Sequence, residues 1–280
     1  MKWDAVLYLR RHGYVAEYGK SLLEYVACNP EQSILDLGCG TGTLTHALSQ
    51  RAGRVVGIDS SEAMIVKARN LYPQLEFHTM NAFEMPWKET FDMVFSNAVF
   101  HWITEQDLLL QRIYAALKNG GKLVCEFGAS GNIAEIESCF QCCLKEYGYT
   151  HSRFFFFPTS EKYRKMLEYK GFYVEKIKEY DRPTPLEDGE KGLENWLQQF
   201  FSDVLNTFSE VVQQKLLQAV ADCARQKVWE GTRWVADYRR LLVVAGKMPK
   251  DNSEAQEPSA GGGRTAAPVL GNVGNDMKFL

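Results

Sequence analysis

The stretch Ser33-Ile34-Leu35-Asp36-Leu37-Gly38-Cys39-Gly40-Thr41-Gly42 decides the fold. Ser33 to Leu37 reads as a short buried strand, glycines follow at 38, 40 and 42, and Gly42 to Arg51 reads as a helix. Glycines at such a turn allow a tight bend and let a ligand lie against bare backbone. A glycine triplet alone is common between strands and helices, so its acidic partners matter. Asp36 stands two residues before Gly38, where a carboxylate can hold the loop and a ligand's amino-acid end. Asp59 ends the next strand, Arg54 to Asp59, 21 residues after Gly38, where an acid hydrogen-bonds ribose hydroxyls. Thr43 occupies the slot of the third glycine in a dinucleotide-type G-x-G-x-x-G, so close packing of the helix on a pyrophosphate is not provided for.

Outward from this loop, β-rich runs alternate with helical spacing, the pattern of an open α/β sheet covered on both faces. Ser61 to Leu71 reads as a helix with Ser60 as its N-cap. Leu75 to Thr79, Phe91 to Ser96 and Lys122 to Phe127 read as further strands, and Leu108 to Leu117 as a helix stopped by Asn119-Gly120-Gly121. Beyond residue 128 the pattern shifts to helices over Ile133 to Tyr147, Glu161 to Lys170, Gly192 to Phe208 and Ser209 to Val228. Strands Tyr173 to Tyr180 and Arg240 to Gly246 are interleaved with them.

The chain has 280 residues, a net charge of −3 and a hydrophobic fraction of 45%, the composition of a domain with a sizeable core. That charge argues against nucleic-acid binding through bulk positive potential. No apolar run approaches the roughly 18 residues of a membrane span. The N-terminus mixes charges into its apolar residues and does not read as a signal peptide. Seven cysteines, an odd number, lead us to expect free thiols in a reducing cytoplasm. Cys139, Cys142 and Cys143 share a helix without a second ligand pair, so no metal site is expected. From residue 249 the composition is too poor in apolar residues to pack, and residues 249–280 are expected to form a disordered tail after a domain of residues 1–248.

Ile34 to Gly42 (ILDLGCGTG) and Gly57 to Met64 (GIDSSEAM) resemble the first two motifs of class I S-adenosylmethionine-dependent methyltransferases. The resemblance implies a Rossmann-like seven-stranded sheet, mostly parallel with the last strand antiparallel, and helical cap insertions, mainly 128–170 and 186–235. It also implies S-adenosyl-L-methionine as cofactor, held by Asp36, Gly38, Cys39, Gly40, Gly42, Asp59, Ser60 and Met64. Asn81, Ala82 and Phe83 sit where the family contacts adenine, with Asn81 in place of the usual Asp. Phe91 to Trp102 matches the fourth strand and its following loop, which puts Asn97, His101 and Trp102 near the methyl-transfer point. The N-terminal segment is expected to close over the cofactor through Tyr8 and His12. A narrower likeness, through SNAVFHW, EFGASGNI, YDRPTPLEDGEKG and WVADYRRLLVVAGK, is to the trans-aconitate methyltransferase-like group, which acts on carboxylates of small acids.

Methyl transfer from a sulfonium is an in-line displacement whose leaving group needs no acid, so the protein's task is alignment. A carboxylate acceptor is already ionised and needs a cationic clamp, while a hydroxyl or amine acceptor needs a base. Arg182, on a proline-stiffened loop, is the candidate clamp; surface contact is its other reading. His101 is the candidate base. Arg239 and Arg240 read as surface charge, and Trp196, Phe200, Phe201 and Trp234 as core. The partner expected is a small-molecule substrate, with no nucleic acid or membrane; oligomeric state is left open. The rival readings are a nicotinamide-dependent dehydrogenase, which Thr43 disfavours, and a non-catalytic S-adenosylmethionine-binding protein.

Overall fold

The structure, a computed structural model, describes residues 14–27, 29–149 and 155–249, all within one compact unit, Met1–Pro249. The expectations for Tyr8, for His12 and for residues 250–280 lie outside the described residues. The chain forms helix α1 (Tyr14–Leu22), β1 (Ser33–Leu37), α2 (Thr43–Ser49), β2 (Arg54–Asp59), α3 (Glu62–Leu71) and β3 (Glu76–Thr79). Then come β4 (Phe91–Asn97), α4 (Gln106–Ala116), β5 (Leu117–Gly128), α5 (Ala134–Glu146), α6 (Ser160–Tyr169) and β6 (Phe172–Asp181). The last part holds β7 (Thr184–Pro185), α7 (Gly192–Phe200), α8 (Ser202–Leu205), α9 (Glu210–Val228), β8 (Val235–Ala236) and β9 (Arg239–Lys247).

Seven strands make one sheet in the order β3-β2-β1-β4-β5-β9-β6, with β9 antiparallel to both neighbours. This is the expected architecture. The order reverses between β1 and β4, and a ligand crevice opens at such a switch point, outside the carboxyl ends of the strands. All five β1 side chains are buried, as a central parallel strand covered on both faces requires. One face packs Leu35, Leu37, Val56, Val94, Leu123 and Val243 against α4 and α6. The other packs Ile34, Val55, Phe95 and Val124 with Leu22 and Leu48.

Three local readings are corrected. Ser61, not Ser60, caps α3: Asp59 Oδ1 accepts from Ser61 N at 2.8 Å, and Ser61 Oγ then accepts from Met64 N. Asn119-Gly120-Gly121 does not end an element but lies inside β5, where the pairing with β4 slips between Phe91 and Met93. The expected helix over 192–208 breaks at Phe201, whose φ of −122° is non-helical. Its ring turns inward to within 4.5 Å of the Phe140 ring, and that burial outweighs helix continuity.

The cap consists of α5, α7, α8 and α9 around Phe140, Trp196, Leu197, Leu216, Val220 and Trp234. Helix α6 packs on the sheet instead: its buried Tyr163 donates to Gln106 Oε1 at 3.2 Å. A two-stranded ribbon, β7 with β8, was not anticipated. Cys139 on α5 and Cys223 on α9 form a disulfide with Cα atoms 5.7 Å apart, which corrects the free-thiol expectation for that pair. Cys39, Cys125, Cys142 and Cys143 are free.

Candidate active site

The glycine loop owes its shape to β2. Gly38 N and Cys39 N both donate to Ile58 O, at 2.8 and 2.9 Å, and Asp59 Oδ2 accepts from Gly40 N at 3.0 Å. Gly38 has φ +75°, and a side chain there would collide with Val99 at 2.2 Å. Gly40 has φ +54°, yet a Cβ at that position would meet nothing within 4 Å. The first glycine is therefore demanded by packing against the β4 loop. The second keeps an open cradle over the switch point, into which backbone N–H groups and the Asp59 carboxylate can face. These features fit a nucleoside with a diol.

Asp36 is buried at the end of β1 and accepts from Thr45 Oγ1 at 2.6 Å. Burial, with a lesser push from the Asp59 charge, raises its pKa to about 7 despite that hydrogen bond. Asp59 is raised too, by burial, against the lowering effect of the Ser61 and Gly40 amides. Cys39 is buried beside them, and burial plus the two carboxylates push its thiol far up, so it stays protonated and unreactive. Asn81 spends its oxygen on Phe83 N at 2.9 Å, capping the short Ala82–Glu84 turn. Ser60 is exposed, and Met64 is buried at the start of α3. Asn97 ends β4, where helix α1 crosses so closely that a Cβ on Gly19 would lie 2.8 Å from Asn97 Nδ2.

Past β4 the chain enters a second recess. Ala98 takes φ +60° and Ile133 φ +54°, both rare for residues with side chains, and both line it. Such strain persists only where surroundings hold it. Ala98 N donates to Glu126 O at 2.7 Å, and Ile133 N to Asp237 O at 3.0 Å. The recess, about 50 Å³, is walled by Trp102, Phe155, Phe157, Trp196 and Phe200. Its polar lining is His101, Asn132, Tyr238 and Arg240. His101 and Trp102 ride on a short turn, Phe100–Trp102, pinned by Gln106 Nε2 on the Phe100 carbonyl at 2.7 Å.

His101 is buried, and its Nδ1 accepts from Gly128 N at 3.3 Å. That bond assigns the remaining proton to Nε2. Burial and the Arg240 charge hold the ring's pKa well below its ordinary value, so the imidazole is neutral. Its free edge is a donor, which makes it a poor base.

Two arginine readings change. Arg182 does not reach the recess with free nitrogens: it forms a two-pronged ion pair with buried Glu126, Nη2 to Oε2 at 2.9 Å, and also bonds Tyr180. Arg239 pairs with Asp181 at 2.8 Å and Glu179 at 3.2 Å, a surface contact as expected. Arg240, read as surface charge, is 6% exposed. Its Nε is buried with no hydrogen-bond partner, and its guanidinium lies 4.3 Å from the Tyr238 ring centre. Trp196 and Phe200 belong to the cap's apolar cluster, as read, and also line the recess, and Trp196 Nε1 donates to Tyr238 Oη at 2.6 Å. Phe201 and Trp234 are core. The missed signal was spacing: Tyr238 stands just before β9 and Arg240 is its second residue, two positions on, and both line the recess.

A strand–glycine–helix loop with an acid at the end of the next strand, in a seven-stranded sheet whose strand β9 alone runs antiparallel, is the arrangement of a class I S-adenosylmethionine-dependent methyltransferase. Residues 34–121 match the methyltransferase-domain family. An uncharacterized methyltransferase of Schizosaccharomyces pombe is 33% identical over 88% of this chain and 98% of its own length. The trans-aconitate 2-methyltransferase of Variovorax paradoxus is 33% identical over 45% of this chain and 50% of its own length. Among solved structures, a Bacillus halodurans protein proposed to be a methyltransferase superposes with a TM-score of 0.60 at 20% identity, covering 82% of this chain and 98% of that one. The chain belongs to the S-adenosylmethionine-dependent methyltransferases, with the class I fold, and S-adenosylmethionine is its methyl donor.

Proposed function

We propose that the enzyme methylates the carboxylate of a small organic acid, held by Arg240 and not by Arg182. The observation that carries this reading is Arg240: a guanidinium, permanently charged, buried in the recess with Nε unpartnered. A buried guanidinium with no ion pair among the described residues is costly, and an anionic acceptor would relieve it through two parallel hydrogen bonds. His101 Nε2–H and the Asn132 amide stand beside it as neutral donors. The partial-length likeness to trans-aconitate methyltransferases points the same way.

S-adenosylmethionine, when bound, supplies an electrophilic methyl group. Gly38 to Gly42 and Asp59 are positioned to hold its nucleoside, with the Ala82 and Phe83 backbone beside the adenine. Asp36 serves its amino-acid end. An acid ionised in solution needs no proton removed, which agrees with a histidine held neutral as a donor.

Purified enzyme should be incubated with methyl-labelled S-adenosylmethionine and a panel of carboxylic acids. We expect label in a base-labile ester, and at least a hundred-fold loss of kcat/KM in Arg240→Lys, because a point charge cannot replace the fork. The reading fails if label goes instead to a hydroxyl or amine, with a rate that rises with pH as a histidine deprotonates.

A further inference from the structure

We propose that Trp196 and Tyr238 are positioning residues for the acceptor: together they fix the angle at which Arg240 presents its guanidinium. This rests on the clamp reading above and adds the residues that make Arg240 a clamp. Arginine has a long, flexible side chain, and a two-pronged contact forms only when the plane of its fork faces the carboxylate. A group that holds that plane beforehand removes the cost of ordering it at binding.

The backbone of Arg240 is set by the sheet, where it stands opposite Gly128 of β5 and Tyr180 of β6. Neither neighbour fixes the side chain. Gly128 has no side chain to offer, and Tyr180 spends its hydroxyl on Glu126 and Arg182. The guanidinium instead lies 4.3 Å from the centre of the Tyr238 ring. A ring holds a cation through its π face and uses none of its N–H donors, so such a platform does not compete with an anion for the fork.

Tyr238 is itself held from the cap. An indole nitrogen can only donate, so in the 2.6 Å bond from Trp196 Nε1 the Tyr238 oxygen is the acceptor. The Tyr238 carbonyl, in turn, accepts from Arg182 N at 2.7 Å, so the tyrosine is tied at both its backbone and its hydroxyl. Trp196 stands in α7 with its ring 5.0 Å from that of Phe200 and 5.8 Å from that of Phe201. Trp196, Tyr238 and Arg240 are all buried and all line the recess. A bond that merely tied the cap to the sheet would alter stability and leave anion binding at Arg240 unchanged. The two roles therefore differ in what removal of the bond does to a bound anion.

Formate is a suitable probe, because the recess of about 50 Å³ has room for the smallest carboxylate and no acceptor body is involved. The test follows the Nε–H resonance of Arg240 in the full-length protein carrying nitrogen-15-labelled arginine, assigned by its loss in Arg240→Lys. In the wild type, formate is expected to shift this resonance saturably. Trp196→Phe, Tyr238→Phe and the double variant, which leaves no buried donor without its acceptor, are each expected to weaken formate binding by about five-fold or more. Each removes the same bond, so the double variant should bind no more weakly than the weaker single variant. Tyr238→Leu, which removes the platform as well, should weaken binding further. Affinity for S-adenosylhomocysteine should stay within about two-fold of wild type throughout.

Wild-type formate affinity in the double variant and in Tyr238→Leu overturns the positioning role and leaves Arg240 as the clamp. So do losses that multiply in the double variant, or an equal fall in the affinities for formate and S-adenosylhomocysteine, which reports a structural tie. A wild-type Arg240 resonance that formate does not move overturns the clamp reading and this inference with it.

Discussion

Arg182 is bound through both arms of its guanidinium to Glu126, a carboxylate only 4% exposed at the end of β5. The same guanidinium lies 5.1 Å from the ring centres of Tyr18 and Tyr180, so it joins helix α1 to the β5–β6 end of the sheet. Breaking one side of such a pair leaves the other charge buried and uncompensated, a loss of about 3–5 kcal/mol. Glu126→Gln is therefore expected to lower the melting temperature by many degrees while the KM for an acid acceptor stays within a few-fold. Thermal unfolding and steady-state kinetics check this. An unchanged melting temperature with a large rise in acceptor KM would return Arg182 to the role of clamp.

Asp59 holds the Gly40 and Ser61 amides with its two oxygens and has lone pairs left for ribose hydroxyls. Asp59→Ala should cost about 1–3 kcal/mol of cofactor affinity, the range for hydrogen bonds to a charged group. Calorimetric titration with S-adenosylhomocysteine is the check, and NAD should bind weakly to wild type and variant alike.

Asp36, with a pKa raised to about 7, keeps its proton in the folded protein across a window where the unfolded chain, near 3.8, has lost it. The fold then binds more protons than the unfolded state, so this group's contribution to stability falls as pH rises from about 4 to about 7 and is level above. An ammonium group on the cofactor reverses the preference and favours the ionised form. Affinity for S-adenosylhomocysteine should rise between pH 6 and pH 8, with proton release on binding at pH 6. Asp36→Asn should abolish that slope. Titrations in buffers of different ionisation enthalpy report the proton count, and a slope that survives the substitution excludes Asp36 as its source.

The Cys139–Cys223 disulfide closes a loop of 84 residues across the cap. Loop-closure entropy puts its contribution at about 4–5 kcal/mol, an upper figure for bonds of this kind. Cys223→Ser should lower thermal stability by part of that amount. Added reductant should lower the wild type toward the variant and leave the variant unmoved. A variant as stable as the wild type would show that packing among Phe140, Leu216 and Val220 alone holds α5 to α9.

Much of this protein was legible in its residues because the signals are local. The turn at Gly38 to Gly42 needs glycine wherever φ is positive, and the acid on the following strand lies at a distance set by one βαβ unit, so both could be read from spacing. The sheet followed from alternation of strand and helix patterns, and the order of its strands from the family resemblance. The boundaries at Ser61 and Phe201 were not legible, because each was decided by a partner elsewhere: the Asp59 carboxylate in one case and the Phe140 ring in the other.

The charges show the same division most sharply. A lone arginine on a stiff loop and an arginine beginning a strand look alike in sequence, since neither pattern says where the nearest carboxylate will lie. The sequence by itself determined the donor loop, the class of fold and the chemistry of methyl transfer. Only the tertiary structure decided that Glu126, from β5, neutralises Arg182, while Arg240 enters the aromatic recess with its Nε unpartnered. The physical reason is that a buried charge acquires its role from the partner the fold brings within hydrogen-bond reach, and that distance is a property of packed strands, not of neighbouring residues.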